Sequence, residues 1–377
     1  MKGIIPREIL YKILKNVYFE YSNNLEEYYK ILHSCMLVNK SWFIALFELI
    51  YTNPHFKSKE SFLKFLNTIF ESYERQQTYG HNETNFFLIR NYYYFVKHLH
   101  ISSICYPSND DIYLLSDSQL NLESLKLEDC RMLTDNSLNC LLKSVPNLLS
   151  LKLISNNNLT DISIQNIVMN SKKLIHLYIG RQVRFTKLGY TYLINCCPKL
   201  KILQLNHANV VDNFFIEWSR YSKENDLEVL EIKHCNSVTN KGIQQLLLSS
   251  LKLKKFSFTI SNTINLDIFK INKICCNNIE YLEIDNSDYD KYEISRFQLT
   301  KAVKKMPHLK ILTLIASVKI GSLGFLPKLI EAAPSLEKLY ILPLSLSSSV
   351  KYENLRKEIG NYNINNPNQK LKVYLYK

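Results

Sequence analysis

Metal ligation and nucleophilic catalysis are the first chemistries to test against these residues. The chain has nine cysteines and nine histidines. Cysteines stand side by side at 196–197 and 275–276, and His98 and His100 lie two apart. Zinc sites need paired ligands with about two to four residues between them and a second pair elsewhere. Adjacent cysteines do not fit that spacing. His98 and His100 would share one face of a strand, but no third ligand is near them in sequence. There is no glycine-rich phosphate loop and no Ser or Cys in a nucleophile elbow. No cofactor, metal or enzymatic activity is therefore expected. What remains is ion pairing: Lys126, Lys152, Lys233 and Lys255 could meet an acidic or phosphorylated peptide. Glu128, Glu231, Glu283 and Asp285 interrupt them, so a mixed, solvated face is the equal alternative. Arg181 and Arg184 sit in one turn and could clamp an anion.

Composition narrows the class. The 377 residues are 46% hydrophobic and 21% charged, which suits a folded chain. No run of about 18 uncharged apolar residues suggests a membrane span, and no secretory signal is expected. The odd, scattered cysteines suit a reduced, intracellular protein, cytoplasmic or nuclear. The net charge is +13, but only nine of the 47 basic residues are Arg, the side chain favoured for phosphate forks and base edges. Neither nucleic acid nor membrane is expected as a partner.

These residues are positioned by a repeat. The pattern apolar, two spacers, apolar, one spacer, apolar begins at 96, 122, 148, 174, 200, 227, 253, 279, 309 and 336. It reads, for example, "LESLKL", "LIHLYI" and "LKILTL". Successive starts are 26 or 27 residues apart, with one step of 30. "LKVYLY" at 371–376 suits an eleventh, closing strand. A period in this range with this spacing is the leucine-rich-repeat signature. Alternation such as Leu125, Lys126, Leu127 predicts a short half-buried strand. The segment after it, such as 133–146, has helical spacing through Leu138, Leu141 and Leu142. Thr134 or Asp135 can cap its start, and Pro146 ends it. One such unit cannot bury its apolar face alone, so units stack. The expected fold class is α/β: a helical N-terminal module, then a solenoid with parallel strands on the concave face and helices on the convex face. Cys130 and Cys235 take the inward position eight residues after the first leucine, and Cys197 and Cys276 a buried position before the next strand.

Three segments result: 1–56, a helical module; 57–95, a helical linker; and 96–377, about ten repeats. In the first, Pro6 suits a first helical turn, with Ile9, Leu10, Ile13 and Leu14 on one apolar face. Residues 31–50 read as a second helical region through Leu32, Cys35, Met36, Val38, Trp42, Leu46 and Leu49. In the linker, 58–73 reads as a helix with Phe62, Phe65, Leu66, Ile69 and Phe70 on one side, capped by Ser58 or Ser61.

The first segment resembles an F-box. "IPREILYKIL" stands where the family has Leu-Pro, an acidic residue and a branched apolar pair, and Val38-Asn39-Lys40-Ser41-Trp42 stands for its Val–basic–Trp core. With the 26-residue repeats, "YTNPHF" at 51–56 and "YFVKHLHIS" at 94–102, the chain resembles F-box/leucine-rich-repeat proteins, most of all fungal Grr-type members and antagonists of mitotic exit. The resemblance implies a substrate receptor of an SCF ubiquitin ligase. Its F-box docks on the Skp adaptor, and through it cullin and RING subunits, with Ile5, Pro6, Ile9, Leu10, Ile13, Leu37, Val38 and Trp42 as the plug. The repeats then hold a protein substrate. From the strand pattern the facing residues include Lys126, Lys152, His176, Tyr178, Gln204, Lys233, Lys255 and Tyr281. Two alternatives stay open: the N-terminal helices as a cap on the first repeat, and a scaffold that binds and inhibits a signalling or cell-cycle partner without degrading it.

Overall fold

In a computed structural model the described residues are 9, 12, 13, 16, 25–38, 42, 43, 46, 51–79, 92–195, 199–221, 226–271, 276–287, 295–315, 323–342, 356–363 and 371–375. The chain divides into two compact units, Met1–Leu148 and Leu149–Lys377. The expected sites Ile5, Pro6 and Leu10, and Cys196, Cys197 and Cys275, lie outside the described residues.

The first unit contains α1 (Leu25–Met36), α2 (Lys59–Tyr79), β1 (His98–Ser102), α3 (Asn109–Asp117), β2 (Ser124–Glu128) and α4 (Asp135–Ser144). The helical region expected over 31–50 is interrupted. α1 begins at Leu25, within the stretch read as a connection, and ends before a turn at Leu37 and Val38. Their N–H groups fall back on the Ser34 and Cys35 carbonyls, at 3.3 and 3.2 Å. Apolar spacing ran on through the turn because Leu37 and Val38 are apolar without being buried. α2 forms where Phe62, Phe65, Leu66 and Ile69 repeat at helical spacing, and all four are buried. Ser58 caps it by accepting the Ser61 N–H at 3.2 Å. Phe56 packs edge-on against Phe62 and at a tilt against Phe65, with centroids 5.2 and 5.0 Å apart. β1 and β2 pair in parallel, Leu99 opposite Leu125 and Ile101 opposite Leu127.

The second unit runs β3 (Ser150–Ile154), α5 (Asp161–Asn170), β4 (His176–Gly180), α6 (Lys187–Tyr192), β5 (Ile202–Asn206), α7 (Asp212–Tyr221), β6 (Val229–Lys233), α8 (Asn240–Ser249), β7 (Lys255–Thr259), β8 (Tyr281–Asp285), α9 (Arg296–Val303), β9 (Ile311–Ile315), α10 (Leu326–Ala332), β10 (Lys338–Leu342) and β11 (Lys372–Leu375). Each strand pairs in parallel with the next, and leucine positions meet leucine positions: Leu177 with Leu203, Leu203 with Leu230, Leu312 with Leu339. All of these are fully buried. Truncating any one to Ala would cost about 2–5 kcal/mol. After β7 a short 3-10 turn, Leu266–Phe269, stands where the repeats before it carry an α-helix.

Three devices recur between repeats. At the strand ends Asp129, Ser155, Arg181, His207 and His234 all adopt the left-handed region, with φ of 47° to 54°. That conformation costs a non-glycine residue roughly 1–2 kcal/mol. In the second unit it lets the N–H of Ser155, Arg181 and His207 reach the last carbonyl of the next strand, each at 2.9 Å. The residue after it turns inward. The Cys130 thiol there donates to the Ile101 carbonyl at 3.5 Å and the Cys235 thiol to that of Lys233 at 3.3 Å. Burial pushes both thiols up to about 12, so neither is a nucleophile at neutral pH.

The second device staples helix starts together. Asp212, first residue of α7, accepts the Thr239 N–H and O–H at 2.7 and 2.6 Å, and Thr239 is the N-cap of α8. Asp161 treats Thr186 the same way, at 2.8 and 2.5 Å, and in the first unit Asn109 accepts from Thr134. The third residue of the stapled helix is glycine at 189 and 242. A Cβ at Gly242 would stand 2.8 Å from the Asp212 Cα.

The third device is a ladder of opposite charges at the second position of the repeats, interrupted at Leu149 and Ile175. Lys201 reaches Glu228 at 3.2 Å, Glu228 reaches Lys254 at 2.9 Å, and Glu280 reaches Lys310 at 2.7 Å. Lys97 and Glu123 begin the same alternation in the first unit, at 3.6 Å.

The glycine staple predicts a reversal of the usual helix rule. Gly242→Ala should lower the thermal midpoint followed by circular dichroism, at a cost of about 1–3 kcal/mol, because the methyl meets backbone. Gly360→Ala, where a Cβ meets nothing within 4 Å, should hold or raise it by up to about 1 kcal/mol. Equal gains from both would sink the staple.

Candidate functional site

Alternation along a strand sends every second side chain to the face opposite the leucines. In the second unit that face carries a polar network whose members come from β3 to β9. It begins at Ser150, whose hydroxyl lies 3.0 Å from His176 Nδ1. His176 Nε2 lies 2.8 Å from Gln204 Oε1, and Gln204 Nε2 donates to Glu231 at 2.8 Å. A carboxylate only accepts, so the Gln204 amide nitrogen must face it. The Gln204 oxygen then faces His176, the His176 proton sits on Nε2, and Nδ1 accepts from Ser150. Burial, with Lys152 nearby, holds the His176 pKa below the ordinary histidine value despite the Gln204 hydrogen bond.

The network's centre is Lys233. Its ammonium lies 2.5 Å from Glu283 and 3.7 Å from Glu231, and only 19% of its side chain is exposed. Glu283 also accepts from the Ser257 hydroxyl at 3.0 Å and from the Tyr281 hydroxyl at 2.6 Å. Thr313 donates to the Tyr281 oxygen at 3.2 Å, and the Lys255 ammonium lies 4.5 Å over the Tyr281 ring. Burial pulls the Glu283 carboxyl up, but the bonds from Lys233, Tyr281 and Ser257 win and leave it below its ordinary value. On β7, β8 and β9 this face is itself buried: Ser257 and Thr313 are 1% and 6% exposed. At the ends of β5 and β6, His207 and His234 stack with centroids 4.4 Å apart, and His234 Nε2 lies 3.9 Å from Asp285.

The expected substrate-facing residues are therefore all on strands, but in different electrostatic states. His176, Gln204, Lys233, Lys255 and Tyr281 are tied into the network. Tyr178 accepts from Asn206 Nδ2 at 3.2 Å. Lys152 has no ion-pair partner among the described residues. In the first unit Lys126 pairs with Glu128 at 2.6 Å, and His100 Nε2 lies 3.1 Å from the same carboxylate. Arg181 and Arg184 are exposed in the turn after β4. Sequence reading named Glu231 and Glu283 only as interruptions. The period-two pattern already set Lys233 and Glu283 on one face, and the strand register supplies the rest. Among the described residues no group of three His, Cys, Asp or Glu could hold a metal ion, and no helix is long and apolar enough to cross a membrane.

A second candidate site is in the first unit. Ile9 and Ile13, in helical backbone, are 49% and 40% exposed, and Leu37 and Val38 are 88% and 60% exposed. Leu32, within α1, and Leu46, in helical backbone, are fully buried. Trp42 is half-buried. The apolar side chains thus sort into a core set and a solvent-facing set.

Lys233→Met would leave Glu283 buried without its cation, at a cost of about 3–5 kcal/mol, and Lys233→Met with Glu283→Gln should recover much of it. The same pair sets an acid limit. A carboxyl held below its ordinary value in the folded chain contributes stability above that value and loses it as pH falls through the folded pKa. Wild-type stability should thus decline below about pH 4.5, more steeply than that of Glu283→Gln. Parallel acid unfolding curves would contradict the assignment.

No family model matches the chain, and no curated protein matches it. Among solved structures it is similar to the complex of Rad7 and Elc1 in yeast, with 17% identity and a TM-score of 0.49 over 94% of this chain and 91% of that one. It is also similar to the leucine-rich-repeat-containing protein LegL7 from Legionella pneumophila, with 15% identity and a TM-score of 0.45 over 77% and 94%. The repeat period, the parallel register and the buried leucine positions give the chain a leucine-rich-repeat fold.

Proposed function

We propose that this chain is the substrate-recognition subunit of an SCF-type ubiquitin ligase. The observation that carries the reading is the exposure of Ile9, Ile13, Leu37 and Val38 while Leu32 and Leu46 of the same N-terminal segment are fully buried. A helical cap would turn such residues inward onto its own unit. A helix-in-groove plug leaves them for a partner. In this reading the N-terminal module docks on the Skp adaptor, which brings cullin and RING subunits, in the cytoplasm or the nucleus. The strand face then receives a protein substrate for ubiquitin-dependent degradation. The chain itself carries no catalytic group, and ubiquitin transfer belongs to its partners.

The strand face refines what the substrate would meet. Lys233 and Lys126 are already matched by carboxylates. A phosphorylated segment would therefore look to Lys152, Arg181 and Arg184, in one part of the second unit. The rival is the non-degradative scaffold, which needs no adaptor.

Co-purification of the Skp adaptor and cullin with the full chain tests the proposal. Ile9→Asp with Leu37→Asp should reduce adaptor capture tenfold or more while the thermal midpoint stays within the small range of surface substitutions. Failure of the wild-type chain to capture the adaptor would move the chain to the scaffold reading.

A further inference from the structure

The helical face of the second unit contains a notch. α8 spans ten residues, whereas the next repeat carries the 3-10 turn Leu266–Phe269 at the corresponding place among the described residues. A cavity of about 390 Å³ opens between this turn and α9. Its floor includes Leu266 and Phe269, both buried. Its rim is Phe297, Lys301 and Lys305, spaced at i, i+4 and i+8, with Lys270 across from them. Phe297 is 75% exposed, a degree exceeded among the large apolar side chains described only by Leu37. Asp267 is the one acidic residue among the described lining residues and is paired with Lys270 at 2.9 Å. Lys305 donates to the Ile271 carbonyl at 2.6 Å. Lys301 has no ion-pair partner among the described residues.

An apolar floor, an exposed aromatic rim and three lysines against one carboxylate complement one kind of surface. We propose that this notch is a docking site for an acidic peptide segment of a partner protein, one that inserts a large apolar residue between Phe269 and Phe297 and sets flanking carboxylates against Lys301 and Lys305. The volume suits one or two side chains rather than a folded domain. Stripes of apolar and basic side chains at helical spacing read partners of matching spacing. The site is independent of adaptor docking and of the strand face, so either can fail without the other.

The test is selection of phage-displayed random dodecapeptides on the immobilised full chain. Selected peptides are then synthesised and titrated by fluorescence anisotropy. Recovered sequences should carry Leu, Phe or Trp flanked by Asp or Glu. Phe297→Ala should weaken them about thirtyfold, in the range of an interface anchor. Lys301→Glu with Lys305→Glu should abolish binding, and raising NaCl should weaken it in the wild type. Circular dichroism of each variant controls for folding, and Phe297→Ser, also at an exposed position, provides a second check. Recovery of basic or uncharged peptides, no recovery at all, or acidic peptides whose affinity is unchanged in the variants would each overturn the proposal.

Discussion

The constraint on which everything else depends is that no single repeat can satisfy itself. A five-residue strand has unpaired N–H and C=O groups on both edges, and its three apolar positions cover no closed core. Both deficits are met only by another repeat placed one strand width away with no slip. Leucine opposite leucine at each step enforces that register. A shift by one residue would send the apolar set to water and the polar set into the core. The left-handed residue at the strand end and the carboxylate staple at the helix start then fix the two ends of the repeat to its neighbour. Register is thus held at three separate points, and the strained turn backbone is tolerated because its N–H completes the ladder.

That same register decides the chemistry of the opposite face. Parallel strands place equivalent positions about 4.8 Å apart, close enough for side chains to bond across one or two strands. Lys233 spans β7 to reach Glu283, and Gln204 passes the hydrogen bonding on from His176 to Glu231. Such a surface is not a bare bank of lysines awaiting phosphate. Its charges are largely matched in advance, so a ligand would have to displace internal partners or use the few cations outside the network.

Much of this was legible in the residues. The spacing of apolar positions located all the strands described, and Thr134, one of the two cap residues expected for its helix, is the N-cap; Thr160, Thr186 and Thr239 cap theirs in the same way. The buried fates of Cys130, Cys235 and Cys276 also followed from their places in the repeat. Other features were on the page but need three-dimensional register to be seen. Asp212 and Gly242 are thirty residues apart in the chain and meaningless as a pair until two helix starts lie side by side. The Lys233–Glu283 bond skips a strand. The break at Leu37 and Val38 was hidden because hydrophobicity there continues without burial. A helical spacing reports which residues are apolar, not which of them the fold covers. The short turn at Leu266–Phe269 was masked by a repeat of ordinary length.

The alternating Lys and Glu ladder has one more consequence. Ion pairs at exposed positions add little to stability one by one, but their alternation gives the array a parity. From Lys201 onward each repeat is either a Lys type or a Glu type, at Lys201, Glu228, Lys254, Glu280, Lys310 and Glu337, whereas Leu149 and Ile175 hold the same position in the two repeats before. Excising the single repeat that carries Glu228 would set Lys201 against Lys254, like against like. Excising two consecutive repeats would restore opposite neighbours. Between Lys201 and Glu337 the ladder therefore keeps its pairing only when repeats are gained or lost in twos.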